Sequence, residues 1–174
     1  MCGTPGKGTH AHSWVMSFPD ELTAFRAYAE LYPEGCMLLV DTYDTLKSGV
    51  PNAIKVFDEL KQKGYKPLGI RLDSGDLAYL SKEARKMLDD AGHSDCIICV
   101  SNDIDEQVLL SLKAQDAKID LFGIGTRLIT SYDAPSLGGV YKLCAIEENG
   151  KLVPKIKLSD TQAKITNPGL KKIF

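Results

Sequence analysis

The chain has 174 residues, a formal net charge of −2 and 44% apolar residues, a length that suits one domain built on a single core. It lacks the basic excess that draws nucleic acid or an anionic membrane, and no apolar run approaches the ~20 residues needed to cross a bilayer. With no signal peptide and five cysteines, an odd number, a reducing cytoplasmic setting is expected rather than a disulfide framework.

Met1 to Gly8 shows no apolar periodicity and runs straight into a polar cluster, as though an upstream region had been removed. The cluster Gly8-Thr9-His10-Ala11-His12-Ser13-Trp14 holds two of the three histidines, and in an extended segment both would face the same way. Ser17-Phe18-Pro19-Asp20 reads as an N-cap with proline in the first turn, opening a helix to about Leu31. Met37 to Val40 is a buried strand that leads into Asp41-Thr42-Tyr43-Asp44. Ala53, Ile54, Phe57 and Leu60 then share one helix face, with Gly64 as a stop. The second strand, Lys66 to Leu72, ends in Arg71-Leu72-Asp73-Ser74-Gly75-Asp76, and packing asks for no such charge there.

Leu80, Ala84, Met87, Leu88 and Ala91 repeat the helical spacing up to Gly92, which makes His93 an exposed loop residue. In the third strand, Cys96 to Val100, the Cys96-Ile97-Ile98-Cys99 spacing matches redox and zinc motifs. A strand aims residues three apart at opposite faces, so both read as buried small hydrophobes. Ser101-Asn102-Asp103 follows, then a helix from Asp105 to Ala114 with Val108, Leu109 and Leu112 facing inward. Leu121-Phe122 leads into Gly123-Ile124-Gly125-Thr126-Arg127. Beyond it, Gly139 to Ile146 and Leu152 to Leu158 flank an Asn149-Gly150 hairpin turn. Ser159 to Phe174 reads as a loop or frayed end.

Alternating strands and helices with short connections imply an α/β fold whose parallel sheet is joined by right-handed crossovers. A complete eight-unit barrel needs ~250 residues. Either the sheet is open or it is part of a larger barrel, and the aperiodic opening residues favour the second: a partial (β/α) barrel forming a single domain over 1–174. Its βα units fill 9–127, a β-hairpin 139–158 and a polar tail 159–174.

Ligands bind at the carboxyl ends of such strands. A carboxylate beside one imidazole nitrogen fixes the tautomer and raises the basicity of the other, which gives Asp41 or Asp44 a use next to a reactive histidine; a helix N-cap is the competing role for either. Histidines two apart also suit a metal, yet no third ligand stands at a recognisable spacing. Arg71 offers a planar fork for a carboxylate or phosphate, with Asp73 as an acceptor for sugar hydroxyls, although a structural ion pair would explain both. Gly123 and Gly125, with Thr126 and Arg127 appended, can turn backbone N–H groups towards a phosphate, where a bare G-x-G marks only a tight turn.

Taken together, Gly8–Trp14, Leu39–Leu46, Gly69–Leu77, Phe122–Leu128 and Gly139-Val140-Tyr141-Lys142-Leu143 closely resemble nicotinate phosphoribosyltransferase, in the same order. The resemblance implies the barrel of the type II phosphoribosyltransferases and an enzyme that joins nicotinate to phosphoribosyl pyrophosphate. Its products are nicotinate mononucleotide and pyrophosphate in NAD salvage, with ATP hydrolysis coupled through a phosphorylated histidine and Mg²⁺ required. It implies that His12 carries the phosphate with Asp41 as its partner. Arg71 then holds the nicotinate carboxylate, Asp73 and Asp103 face the ribose hydroxyls, and Gly123, Gly125 and Thr126 lie at the 5′-phosphate. It implies a homodimer or higher oligomer.

A reading from a different class is a non-catalytic half-barrel that self-associates through unpaired strand edges. An aldolase-like sugar-phosphate enzyme is disfavoured, because no lysine stands at an expected strand end for a Schiff base.

Overall fold

The computed structural model describes residues 8–130, 139–158 and 164–172, so the first seven residues and parts of the tail lie outside the described residues. Four parallel strands, β1 (Met37–Leu39), β2 (Gly69–Leu72), β3 (Ile97–Val100) and β4 (Leu121–Phe122), lie in sequence order across one sheet. Arg71 stands between Leu39 and Cys99 in the register. The sheet follows helices α1 (His12–Met16) and α2 (Glu21–Leu31), and α3 (Val50–Gln62), α4 (Leu77–Asp90), α5 (Glu106–Ala114) and the short α6 (Thr126–Ile129) follow successive strands. This is the expected partial (β/α) barrel: one α/β layer pair per unit and no antiparallel strand in the main sheet.

The core forms where the sequence patterns put it. Leu38, Ile70, Leu72, Ile98 and Val100 from the sheet pack with Phe25, Ala53, Phe57, Ala84 and Leu88 from the helices, all fully buried. Cys96 and Cys99 are buried free thiols, as their strand setting requires. Gly49, at the end of a π-turn over Thr45–Gly49, is where α3 touches the sheet; a Cβ there would sit 1.8 Å from the Val40 carbonyl oxygen.

Several expectations need correction. The cap of α2 is Asp20, not Ser17: its carboxylate accepts from the Thr23 amide and hydroxyl, each at 2.8 Å, and Pro19 precedes the helix. The two N-terminal histidines do not face one way, because the chain turns into α1 at His12 while His10 stays in the core. His93 is fully buried rather than exposed. Its Nε2 lies 2.9 Å from Asp58 Oδ1, its ring packs edge-on against Phe57, and the Arg85 guanidinium donates to its carbonyl at 2.9 Å.

The hairpin is present but shorter than expected, with β5 (Ala145–Glu148) paired antiparallel to β6 (Lys151–Pro154) across Asn149 and Gly150, both at positive φ as the turn demands. The described tail is tied down rather than frayed: Thr166 is buried and exchanges bonds with Lys157, and the Gly169 amide donates to the Cys144 carbonyl at 2.8 Å.

Candidate active site

The rim at the carboxyl ends of β1 and β2 brings His12, Asp41 and Asp73 together from three parts of the chain. His12 Nε2 lies 3.9 Å from Asp41 Oδ1 and 3.6 Å from Asp73 Oδ2. Both distances exceed a direct hydrogen bond, so the carboxylates act on the imidazole through charge. The direct partner is Thr42, fully buried, whose Oγ1 is 3.1 Å from His12 Nδ1. Thr42 carried no signal in the sequence beyond its place beside Asp41.

Asp41 is held by the next strand's turn: its Oδ2 accepts from the Asp73 amide at 2.9 Å and the Ser74 hydroxyl at 2.6 Å. Its Oδ1, buried and facing His12, has no hydrogen-bond partner among the described residues. Asp44 instead caps the π-turn, accepting from the Lys47 amide at 2.9 Å, so the N-cap role falls to it alone.

Burial by itself would raise the Asp73 pKa, but contacts with His12 and with the Ser101 hydroxyl at 2.5 Å, and the charge of Arg71, outweigh it and hold the carboxyl below its usual range. Arg71 reaches Asp73 only at 3.9 Å, and its Nε is buried without a partner among the described residues. The ion pair is thus too loose to consume the guanidinium, and the fork has donors left for a ligand.

Asp103, exposed in the turn after β3, borders the same recess of about 320 Å³ as His12 and Asp73. Three lysines, Lys142, Lys157 and Lys164, line it from the hairpin and tail. They were missed because only the folded chain lays that region over the strand ends; the basic character of the tail was the available sign. Burial pushes the Lys157 pKa down, Lys142 and Lys164 add to this, and Asp41 and Asp73 oppose it. A second recess of about 630 Å³ adjoins through Ser74, Asn102 and Lys164. A larger hollow, about 840 Å³, is lined by Trp14, Tyr28, Tyr32 and Tyr65 and contains His10 but none of the expected site residues.

Gly123, Gly125 and Thr126 follow β4 and do not line the His12 recess. The Gly123 amide is already bonded to the Val100 carbonyl at 2.7 Å, and α6 is four residues long. His10 is also separate: its Nε2 accepts from the Leu39 amide at 3.2 Å and its ring lies against Phe25 and Tyr28.

No family model matches the chain. It is 57% identical over 170 residues to the nicotinate phosphoribosyltransferase of Bacillus subtilis, which covers 98% of this chain and 34% of that protein. It is 40% identical over 163 residues to the human nicotinate phosphoribosyltransferase, covering 90% and 30% respectively. Among solved structures, human nicotinic acid phosphoribosyltransferase superposes with a TM-score of 0.64 and 31% identity over 70% of this chain and 35% of that one. The nicotinate-nucleotide pyrophosphorylase of Pyrococcus furiosus gives 0.56 and 26% over 72% and 32%. The chain spans about a third of the length of the curated relatives it matches. Over that third, the chain belongs to the nicotinate phosphoribosyltransferase family.

Proposed function

We propose that this chain carries the histidine-centred part of a nicotinate phosphoribosyltransferase site, in which nicotinate and phosphoribosyl pyrophosphate yield nicotinate mononucleotide and pyrophosphate with coupled ATP hydrolysis. In this reading His12 accepts the phosphoryl group, with Asp41 and Asp73 stabilising the charged imidazole. Arg71 takes the nicotinate carboxylate, Asp73 and Asp103 face the ribose hydroxyls, and Gly123, Gly125 and Thr126 approach the 5′-phosphate from β4. The setting is the cytoplasm.

Among the described residues no three His, Cys, Asp or Glu side chains cluster as a metal cage. Mg²⁺ brought in on substrate phosphates needs only one or two carboxylates, and Asp73 and Asp103 beside the same recess would hold it. When bound it would neutralise phosphate charge.

The observation that carries the reading is the histidine facing two carboxylates from adjacent strand ends, with Asp41 Oδ1 and Arg71 Nε both buried and unpartnered. Such orphaned atoms are costly unless a ligand meets them. The test is labelling by γ-³²P-ATP in a hybrid where this chain replaces the matching third of a full-length relative. Acid-labile label is expected in wild type and His10→Ala and absent from His12→Ala; the reverse pattern would overturn the assignment. In the same hybrid, Arg71→Lys keeps the charge but loses the fork, so nicotinate binding should weaken by ~1–3 kcal/mol. Equal loss for nicotinamide would remove Arg71 from this role.

A second reading, a self-associating half-barrel without activity of its own, is favoured by the β4 edge, which carries no further strand among the described residues. Leu128 and Ile129 are 71% and 80% exposed beside it, and Phe122 is also exposed.

A further inference from the structure

The two ring nitrogens of His12 face different chemistry. Nε2 looks towards the Asp41 and Asp73 carboxylates, which can only accept, so that side favours a proton on Nε2. Nδ1 then carries the lone pair. The atom beside it is Thr42 Oγ1, and among the described residues this is the hydroxyl's one hydrogen bond. A hydroxyl next to a lone pair must donate to it. Thr42 is fully buried and β-branched, so the donor is held in a single orientation by packing and by a stiff χ1.

We propose that Thr42 is a positioning residue for His12, an inference that rests on the reading of His12 as phosphoryl acceptor. In the resting protein its hydroxyl donates to the Nδ1 lone pair and locks the ring against rotation. When ATP arrives the lone pair forms the N–P bond while the P–O bond to ADP breaks, and that electron pair leaves with ADP. The imidazole keeps its Nε2 proton and gains positive charge, which the two carboxylates face. The Thr42 hydroxyl loses no proton: it exchanges one acceptor for another, passing from the ring nitrogen to an oxygen of the transferred phosphoryl group. Asp41 supplies charge and Thr42 supplies aim, which explains why the carboxylate can stand back at 3.9 Å.

The ring nitrogens of the ¹⁵N-labelled chain, observed by long-range ¹H–¹⁵N correlation at mildly alkaline pH, test this directly, with His12 assigned by the signals lost in His12→Gln. Wild type should show the proton on Nε2. Thr42→Val, of the same shape without the hydroxyl, should move the Nδ1 resonance towards that of an unbonded lone pair, and Thr42→Ser should restore it. A proton on Nδ1 in wild type overturns the proposal, and that measurement stands even where the valine variant does not fold. So does an unmoved Nδ1 in a folded Thr42→Val. With ATP, in the hybrid, Thr42→Val should take up label about tenfold more slowly than Thr42→Ser, the loss of one hydrogen bond to a charged group; equal rates overturn the second half. Absence of label in the wild-type hybrid refutes the phosphohistidine reading, while the resonances still judge the resting hydrogen bond.

Discussion

His10 and His12 stand two residues apart and meet opposite surroundings because only one of them leaves the core. His10 is 6% exposed and its imidazole accepts from a strand amide, so burial lowers its pKa from 6.5 to about 4. The fold therefore keeps it neutral, while an unfolded chain would protonate it below pH 6.5. Stability from this residue is complete above that pH and is lost as pH falls towards 4, by roughly 3 kcal/mol in all. Urea unfolding across this window should show that slope, and His10→Gln, which can still accept from Leu39, should flatten it; parallel curves would remove His10 as the source. The Thr-His-Ala-His run signals that a histidine matters without saying which. His93 shows the same limit: a histidine after a helix-ending glycine reads as loop, and its burial depends on Asp58 and Arg85, 35 and 8 residues away.

At the level of elements, apolar spacing was enough to locate the four strands and the three longer crossover helices, since burying one face is what makes them stable. The brief α1 was not visible, because five residues hold too little periodicity to announce a helix. Nor was the contact at Gly49. There the backbone is helical, and replacing a helical glycine by alanine ordinarily stabilises by about 0.5–1 kcal/mol. Here the added methyl meets the Val40 carbonyl at 1.8 Å, backbone that cannot step aside without moving β1. Overpacking of this kind costs about 1–3 kcal/mol or more and decides the sign. Gly49→Ala should lower the urea midpoint and, by displacing the strand that leads into Asp41 and Thr42, disturb the His12 ring signals. A midpoint raised in that variant would show that the strand yields freely.

For the whole molecule, the two edges of the sheet are unlike. β1 is closed by side chains: the Thr9 hydroxyl donates to the Met37 carbonyl at 2.6 Å, and the Leu39 amide donates to His10. β4 is the other end of the sheet and has no strand on its outer side among the described residues, and Leu128 and Ile129 of the helix that follows it are exposed. Association by strand pairing is accordingly expected through β4, and light scattering at micromolar concentration should give a dimer or larger. Leu128→Lys with Ile129→Lys should shift it to monomer; a monomeric wild type would end the idea. The unpaired edges were legible from counting four strands. Which one is closed was not, because a side chain bonding a strand edge leaves no period in the sequence.

That closure has a kinetic corollary. The segment that bonds Leu39 continues directly into His12, so exchange of the Leu39 amide hydrogen with water reports the lifting of the segment that carries His12 from the edge of the sheet. One slowly exchanging amide thereby becomes a clock for how often His12, the proposed phosphoryl acceptor, is out of place.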